Sequence, residues 1–232
     1  MLVSVHLPKT AGTSFMKSLE EHFGATLMKD YGDLPITMRA YERNHQALEQ
    51  SIINSERDFA NVQCIHGHFL PLKYLLFSVK YPTLFVTWMR NPVERVLSHY
   101  YFWKRTYNPD NSPLLQRKMV EEDWSLERFC LGPEVKNLYA QFLWGFPMSY
   151  FDFIGITEFY QQDLTYFSQN ILGVDLNEKI ENVREEKDNR YDIGISLKKD
   201  LEKHHDIDLL IYKKAIEKRK ESIGHSYPMT LS

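Results

Sequence analysis

The segment VSVHLPKTAGTSF, from Val3 to Phe15, constrains the fold more than any other part of the chain. The run from Leu2 to Leu7 is apolar and β-branched, which predicts a buried parallel strand. After a short loop, Phe15, Leu19 and Phe23 recur at helical spacing. A strand, a loop and a helix in this order predict an anion site, because the free amides at a helix N terminus carry partial positive charge.

The same pattern of strand, loop and helix recurs along the chain. Val62 to Ile65 is a second short strand candidate, and Thr83 to Trp88 is the clearest central strand. Pro92 stands where a helix favours its first residue, and Val93 to Trp103 follows as that helix. Phe151 to Gly155 is a further strand. We therefore predict an α/β fold, a single P-loop-like domain with a central parallel β-sheet flanked by helices.

The remaining segments complete this single domain of residues 1–232. We expect a helix over Tyr41 to Arg57 with Leu48 and Ile52 facing inward, and an irregular helical insertion at about 104–150. A helix from Glu158 to Leu172 is expected to end at Gly173. The segment at about 176–232 is rich in charge of both signs and is predicted to be helical and solvated.

Composition narrows the function classes. The 232 residues carry a formal net charge of −3, so no global basic excess points to nucleic acid. The two cysteines, Cys64 and Cys130, have neither disulfide-framework nor metal-ligand spacing. No apolar run approaches the ~20 residues of a membrane span, and no secretory signal pattern stands at the start. We expect a cytoplasmic protein without a transmembrane segment.

The first loop has the composition of a phosphate site. Lys9 contributes a full positive charge, and Gly12 lets the backbone approach an anion closely. The spacing differs from G-x-x-x-x-G-K-[ST], the loop of ATP-binding proteins. The candidate binding residues of this loop are Lys9, Thr10, Ala11, Gly12, Thr13 and Ser14.

Two histidines in CIHGHFL are candidates for acid–base chemistry. His66 and His68 follow a predicted strand, and an imidazole with a pKa of ~6.5 suits a general base near neutrality. A metal site is another interpretation, but no third ligand stands at a recognisable spacing. A structural role for both side chains is the simplest alternative.

Together these motifs resemble the sulfotransferases that use 3′-phosphoadenosine 5′-phosphosulfate (PAPS). HLPKTAGTSF looks like their 5′-phosphosulfate loop, and RNPVERVLSHYYF looks like their 3′-phosphate motif. HGH between the two loops, together with FIGITE, is similar to the carbohydrate branch that contains the heparan sulfate uronosyl 2-O-sulfotransferases. The resemblance runs from about residue 3 to residue 217.

The resemblance implies a role for each candidate residue. Lys9 would stabilise the leaving phosphate, and Arg90 with Ser98, eight positions later, would hold the 3′-phosphate. His68 would be the catalytic base and His66 its support. Arg184, in NVREEKDNR, would belong to a C-terminal segment that covers the nucleotide. The cofactor would be PAPS, the product adenosine 3′,5′-bisphosphate, and no metal would be required.

The acceptor is the point at which the chain departs from the heparan enzymes. Those enzymes carry an arginine two residues before the loop proline, whereas this chain has His6 there. A long polyanion favours a basic groove, so a hydroxyl on a smaller glycan or a small metabolite is an equal expectation.

Three alternatives to this interpretation remain. A nucleotide kinase or other phosphotransferase on a similar α/β scaffold would need a Mg²⁺-binding carboxylate near the loop. A non-catalytic nucleotide-binding module would need no base. The same sulfuryl transfer could also use a carboxylate base with an amine or phenol acceptor.

Overall fold

The strands form a five-stranded sheet in which every neighbouring pair is parallel, in the order β2-β3-β1-β4-β5. They are β1 (Leu2–Val5), β2 (Leu27–Lys29), β3 (Cys64–Gly67), β4 (Leu84–Met89) and β5 (Phe153–Ile156). The computed structural model describes residues 1–33, 38–174, 176, 191 and 193–224. Parallel strands need crossover connections, and helices supply them here. The predicted α/β class with a parallel central sheet is confirmed.

Helices occupy most of the connections. They are α1 (Gly12–Phe23), α2 (Ala40–Glu56), α3 (Leu75–Lys80), α4 (Pro92–Thr106), α5 (Leu114–Glu121), α6 (Leu126–Cys130), α7 (Leu138–Phe142), α8 (Tyr160–Tyr166), α9 (Ile195–His204) and α10 (Asp206–Gly224). A π-helical turn, Phe167–Leu172, continues α8 and ends at Gly173 in the left-handed region, as the sequence predicted. None of the described helices combines the length and the apolar character that a bilayer crossing requires.

The two faces of the sheet bury different helices, because side chains alternate along each strand. On one face, strand residues pack against α1, α8 and the π-helical turn: Leu2, Cys64, Val86, Trp88, Phe153, Phe15, Leu19, Leu164 and Phe167. On the other face, the partners come from α3, α7 and α10: Val3, Val5, Ile65, Phe85, Met89, Ile154, Phe77, Leu138, Phe142 and Ala215. The sheet is therefore covered on both sides, as parallel sheets require.

The central strand β1 brings together segments that are distant in the sequence. Val5 lies opposite Gly67 of β3 on one side and Thr87 of β4 on the other. All three strands run in the same direction, so their C-terminal ends meet at one edge of the sheet. Ligands of open α/β sheets bind in the crevice at that edge.

The predicted second strand begins two residues too early in the sequence. The structure has β3 at Cys64–Gly67, not at Val62 to Ile65. The reason is the pairing with β1, in which the His6 N–H donates to the Gly67 carbonyl at 2.8 Å. His66 therefore belongs to the strand itself, and only His68 follows it.

Helix α2 forms where it was predicted, but its inward face was predicted wrongly. Leu48 and Ile52 are 47% and 61% exposed, whereas Ala47 is 3% exposed. Small and polar side chains face inward because α2 packs closely on the segment that leads into α3. The Asn54 amide donates to the Lys73 carbonyl there at 3.1 Å.

A second core lies beyond the sheet, around the buried face of α4. Its members come from α4, α5, α6, α9 and the 3₁₀ turn Pro133–Val135: Val93, Val96, Leu97, Tyr100, Trp103, Met119, Phe129, Cys130, Val135 and Leu201. It contains much of the segment 104–150 that the sequence predicted as a helical insertion. This core supports α4, the helix that follows β4 and carries one of the candidate motifs.

Helix α10 is joined to α7 by buried polar contacts. The Asp208 carboxylate accepts from the N–H groups of Tyr139 and Ala140 at 3.0 Å each, which caps the start of α7. His205 accepts from the Asn137 N–H at 3.3 Å and donates to the Cys130 carbonyl at 3.0 Å. These contacts hold the C-terminal helix on the sheet.

Candidate active site

The loop between β1 and α1 adopts a constrained conformation. Lys9 and Ala11 have φ angles of 68° and 65°, which are unusual for residues with a side chain. The Thr10 hydroxyl donates to the Leu7 carbonyl at 2.8 Å and closes the turn. Strained backbone of this kind concentrates at functional sites. It directs the chain into α1 with its first amides facing the loop.

The N terminus of α1 is suited to an anion. Ala11 provides no side-chain cap, and no acidic residue stands in the first turn. The positive end of the helix dipole is therefore not offset by a side chain of the cap or the first turn. Thr13 is exposed on the first turn and Ser14 is buried, so the two hydroxyls differ in access.

Lys9 lies between this loop and α4. Its Nζ is 3.4 Å from the centre of the Phe102 ring. Burial, followed by the positive charges of Arg105 and Arg90, lowers the pKa of Lys9 to about 8. Every one of these effects opposes the charged form, and none comes from a carboxylate. A bound anion would supply the missing counter-charge.

His68, just beyond β3, is held in one tautomer. Its Nδ1 lies 2.5 Å from the backbone carbonyl of His6. A carbonyl can only accept, so Nδ1 carries the proton and Nε2 keeps its lone pair. Burial lowers the pKa of His68, and the bond to His6 partly opposes that shift. The ring is neutral at physiological pH and has one nitrogen able to take a proton.

His66 has a different environment from His68. Its ring is 1% exposed and its Nδ1 lies 2.8 Å from the Ser4 hydroxyl. Nε2 is buried and has no hydrogen-bond partner within the described part of the chain. Burial, followed by the nearby His68 and Lys29, lowers the pKa of His66 to about 3. His66 therefore stays neutral and does not exchange protons with solvent near neutrality.

His6 lies between the two histidines, which the sequence did not predict. Its ring centre is 4.2 Å from that of His68 and 5.2 Å from that of His66. The His6 ring therefore packs against both candidate histidines. No group of three or more His, Cys, Asp or Glu side chains in the described ranges is arranged to hold a metal ion.

Tyr31, which sequence reasoning missed, covers the histidines from the side of β2. Its hydroxyl is 3.4 Å from His6 Nδ1, and its ring centre is 5.0 Å from that of His68. Lys73 fixes the segment that carries Tyr31, because it pairs with Asp30 at 2.8 Å and with Asp33 at 3.5 Å. The sequence signal was weak, since β2 has only three residues before the turn DYGD.

Arg90 follows β4 at the same edge of the sheet. The backbone N–H of Arg90 donates to the Tyr139 hydroxyl at 3.0 Å, and that hydroxyl donates to the backbone carbonyl of Arg90 at 2.7 Å. The guanidinium lies 3.8 Å from the Glu94 carboxylate. Its charge also contributes, after burial and Arg105, to the lowered pKa of Lys9.

Ser98 lies on the face of α4 that turns toward Lys9. It is one helical turn from Glu94, the partner of Arg90, and one turn from Phe102, which contacts Lys9. Its side chain is half-buried. Asn91 caps the start of α4 by accepting from the N–H groups of Val93 and Glu94. This cap fixes the direction in which the helix leaves the strand.

Two further arginines stand in the motifs quoted above, Arg184 in NVREEKDNR and Arg95 in RNPVERVLSHYYF. Arg184 is outside the described residues. Arg95 is fully buried, with its guanidinium 5.7 Å from the centre of the Tyr139 ring. None of its guanidinium nitrogens has a hydrogen-bond partner among the residues that the structure describes.

Comparison with known proteins found a match among solved structures, but none among family models or curated proteins. No family model matches the sequence, and no curated protein matches it. Among solved structures, the chain is similar to a sulfotransferase from Alicyclobacillus acidocaldarius, at 17% sequence identity and a TM-score of 0.46. The match covers 89% of this chain and 91% of that one. A likeness this distant carries no argument about the chemistry of this chain.

Proposed function

We propose that this protein is an O-sulfotransferase that transfers a sulfuryl group from PAPS to an acceptor hydroxyl, on a glycan or a small metabolite. The observation that carries the proposal is the juxtaposition of two chemical groups at one edge of the sheet. One is a loop lysine whose charge no carboxylate among the described residues offsets, and the other is a histidine whose Nε2 carries the lone pair that can accept a proton.

The nucleotide would be held by residues on both sides of β1. The amides of the first turn of α1 and the side chains of Lys9, Thr13 and Ser14 would bind the 5′ end. Arg90, with Ser98 on the adjacent helix, would bind the 3′-phosphate, because a guanidinium offers a planar fork of donors. Arg184 is proposed as a contact to the adenosine. When bound, PAPS supplies an activated sulfuryl group on its 5′-phosphate.

His68 would act as the general base. Its Nε2 would take the acceptor proton while Nδ1–H stays on the His6 carbonyl, so the imidazolium that forms keeps a hydrogen bond. The acceptor oxygen gains a bond to sulfur, and the bond between sulfur and the phosphate oxygen breaks. Lys9 would offset the negative charge that develops on that oxygen, an electrostatic effect of the kind that dominates group transfer between oxygens. His66 would support the histidine group from within the strand.

The test is calorimetric titration with adenosine 3′,5′-bisphosphate, adenosine 5′-phosphate and ATP with Mg²⁺, followed by transfer from labelled PAPS. Selective binding of the bisphosphate, with label transferred to a hydroxyl acceptor in the presence of EDTA, is the expected result. Preference for ATP with Mg²⁺ would instead favour a nucleotide kinase or other phosphotransferase. Binding of the bisphosphate without transfer to any acceptor in a broad hydroxyl panel would favour a binding module.

A further inference from the structure

The side chain of His6 occupies the space between the phosphate loop and the base. A Cβ built on Gly12 would lie 1.9 Å from both Cδ2 and Nε2 of His6. Real Cβ atoms never approach another atom so closely, so the ring fills the room that any other residue at position 12 would need. Gly12 is the first residue of α1, where the anion-binding amides are. The start of that helix and the His6 ring therefore cannot move independently.

His6 also contacts His68 in two independent ways. Its carbonyl accepts the Nδ1 proton at 2.5 Å, and its ring packs on the His68 ring at 4.2 Å between centres, with 32° between the planes. The first contact selects the tautomer and the second limits rotation of the ring. His68 is thus oriented by one residue, through both its backbone and its side chain.

The surroundings of His6 keep its ring uncharged. Burial lowers the pKa of His6 well below its ordinary value, and the facing groups His68, His66 and Lys9 lower it further. The Tyr31 hydroxyl is 3.4 Å from Nδ1. A neutral ring in this position can act as a packed spacer, with no charge of its own to disturb the base.

We propose that His6 is a positioning residue that couples the occupancy of the phosphate loop to the orientation of His68. An anion on the first amides of α1 fixes Gly12, the His6 ring rests on Gly12, and the His68 ring rests on His6. The base would be held in its productive orientation mainly when the nucleotide is bound. This inference rests on the proposed function, because it concerns the same site.

The experiment observes the imidazole nitrogens of His68 by ¹⁵N NMR, with the signals assigned by their loss in His68→Asn. In the wild type we expect one tautomer, with Nδ1 protonated, and a change in the ring signals when adenosine 3′,5′-bisphosphate binds. In His6→Ala the His68 ring loses the ring that packs on it and can turn away from the carbonyl of residue 6, so we expect both tautomers. Bisphosphate binding should then no longer change the His68 signals. His6→Phe keeps a ring on both neighbours and should restore most of the coupling.

Steady-state kinetics separates positioning from simple loss of structure. His6→Ala should lower kcat by about 10- to 100-fold, the scale of a small misplacement of a catalytic group. The dissociation constant for the bisphosphate should stay within about threefold of wild type, a difference below 1 kcal/mol. Tyr31→Phe, which removes only the hydroxyl beside His6 Nδ1, is the matched control and should leave the tautomer unchanged.

The outcomes separate this inference from the proposed function. If the wild type binds the bisphosphate and the His68 signals do not change, the coupling is wrong although the proposed function stands. If His6→Ala keeps a single tautomer and wild-type kcat, the positioning role is wrong. If the wild type binds no bisphosphate, the proposed function and the coupling both fail, and the tautomer comparison without ligand still decides the positioning role.

Discussion

The Nδ1–H of His68 donates to the backbone carbonyl of His6 at 2.5 Å, across 62 positions of sequence. The bond joins the residue after β1 to the residue after β3, the two points where neighbouring parallel strands end together. Because the acceptor is a backbone group, a substitution at position 6 leaves the carbonyl in place, and the bond is lost only if the His68 ring turns away from it. The pairing of two strands therefore places the carbonyl that selects the tautomer of the candidate base.

Replacing His68 by asparagine should abolish transfer and leave nucleotide binding intact. The asparagine amide can still donate toward the His6 carbonyl, but it has no basic nitrogen. We expect kcat to fall by about 10²- to 10⁴-fold, the usual contribution of a positioned general base. The dissociation constant for adenosine 3′,5′-bisphosphate, measured by calorimetry, should change little. Turnover close to wild type would remove His68 as the base and favour a carboxylate elsewhere.

The pH dependence of kcat/KM for PAPS should be bell-shaped, because it reports the free enzyme. His68 acts in its neutral form, and burial lowers its pKa, so the acid limb should lie below pH ~6.5. Lys9 acts in its charged form with a pKa of about 8, so activity should fall above pH 8. Lys9→Arg should move the alkaline limb above pH 10. A flat profile between pH 7 and pH 10 in the wild type would contradict the role of Lys9.

Removing the guanidinium of Arg90 should erase recognition of the 3′-phosphate. Hydrogen bonds to charged groups contribute about 1.5–3 kcal/mol, so Arg90→Ala should weaken bisphosphate binding by about 10- to 150-fold. Binding of adenosine 5′-phosphate should change far less. Arg105→Ala is the control, because Arg105 is exposed and also acts on Lys9. Arg105→Ala should weaken the binding of both ligands to the same extent. If Arg90→Ala also weakens the binding of both ligands equally, Arg90 does not recognise the 3′-phosphate.

Adding one methyl group at Gly12 should destabilise the protein through His6. The new Cβ would lie 1.9 Å from the His6 ring, which is itself packed on His68. Overpacking of this kind costs about 1–3 kcal/mol, more than the gain of about 0.5–1 kcal/mol from alanine in a helix. Urea unfolding of Gly12→Ala measures this loss. The double variant with His6→Ala should be more stable than Gly12→Ala alone, and absence of that rescue would show that the clash is elsewhere.

The free energy of unfolding should decrease on acidification below pH ~6.5. Burial, followed by the positive charge of Arg95, lowers the pKa of His205 to about 3. The unfolded chain then binds a proton that the folded chain does not, so stability falls by about 1.4 kcal/mol per pH unit for this residue between pH ~6.5 and pH 3. Urea unfolding at several pH values measures the slope, to which His6, His66 and His99 also contribute.

His205→Gln provides the matched comparison for this slope. The variant should be less stable at pH 7.5. Because a glutamine does not titrate, the slope of the unfolding free energy against pH should be smaller than in the wild type by the equivalent of about one proton. An unchanged slope would mean that His205 is protonated in the folded protein, contrary to its two hydrogen bonds with Asn137 and Cys130.

Four of the five strands and the loops that follow them could be predicted because they depend on local chemistry, whereas the short strand β2 was not predicted. The apolar run of β1, the loop after it and Gly24 at the end of α1 are each visible within a few residues. Pro92 likewise marks the start of α4. The parallel sheet then follows from the alternation of strands and helices. These features required no knowledge of which strand lies beside which.

The features that could not be predicted from the sequence all depend on contacts between residues that are distant along the chain. His6 contacts His68 only because β1 pairs with β3, and Tyr31 joins them only because β2 is the neighbour of β3. The inward face of α2 uses Ala47 in place of Leu48, since the close approach to the segment before α3 needs small side chains. Hydrophobic periodicity predicts that a helix forms, but packing against a neighbouring segment decides which face of that helix is buried.

The position of β1 in the sheet also has a consequence for how the chain is made. Leu2 pairs with Cys64 on one side and with Leu84 on the other, so one neighbour of this strand is synthesised 62 residues after it and the other 82 residues after it. During that time an apolar strand with two unpaired edges is exposed on the ribosome. Non-local parallel pairing is slow to form, and such edges invite association with other chains. We expect the nascent protein to depend on chaperone binding to its first segment until β4 emerges.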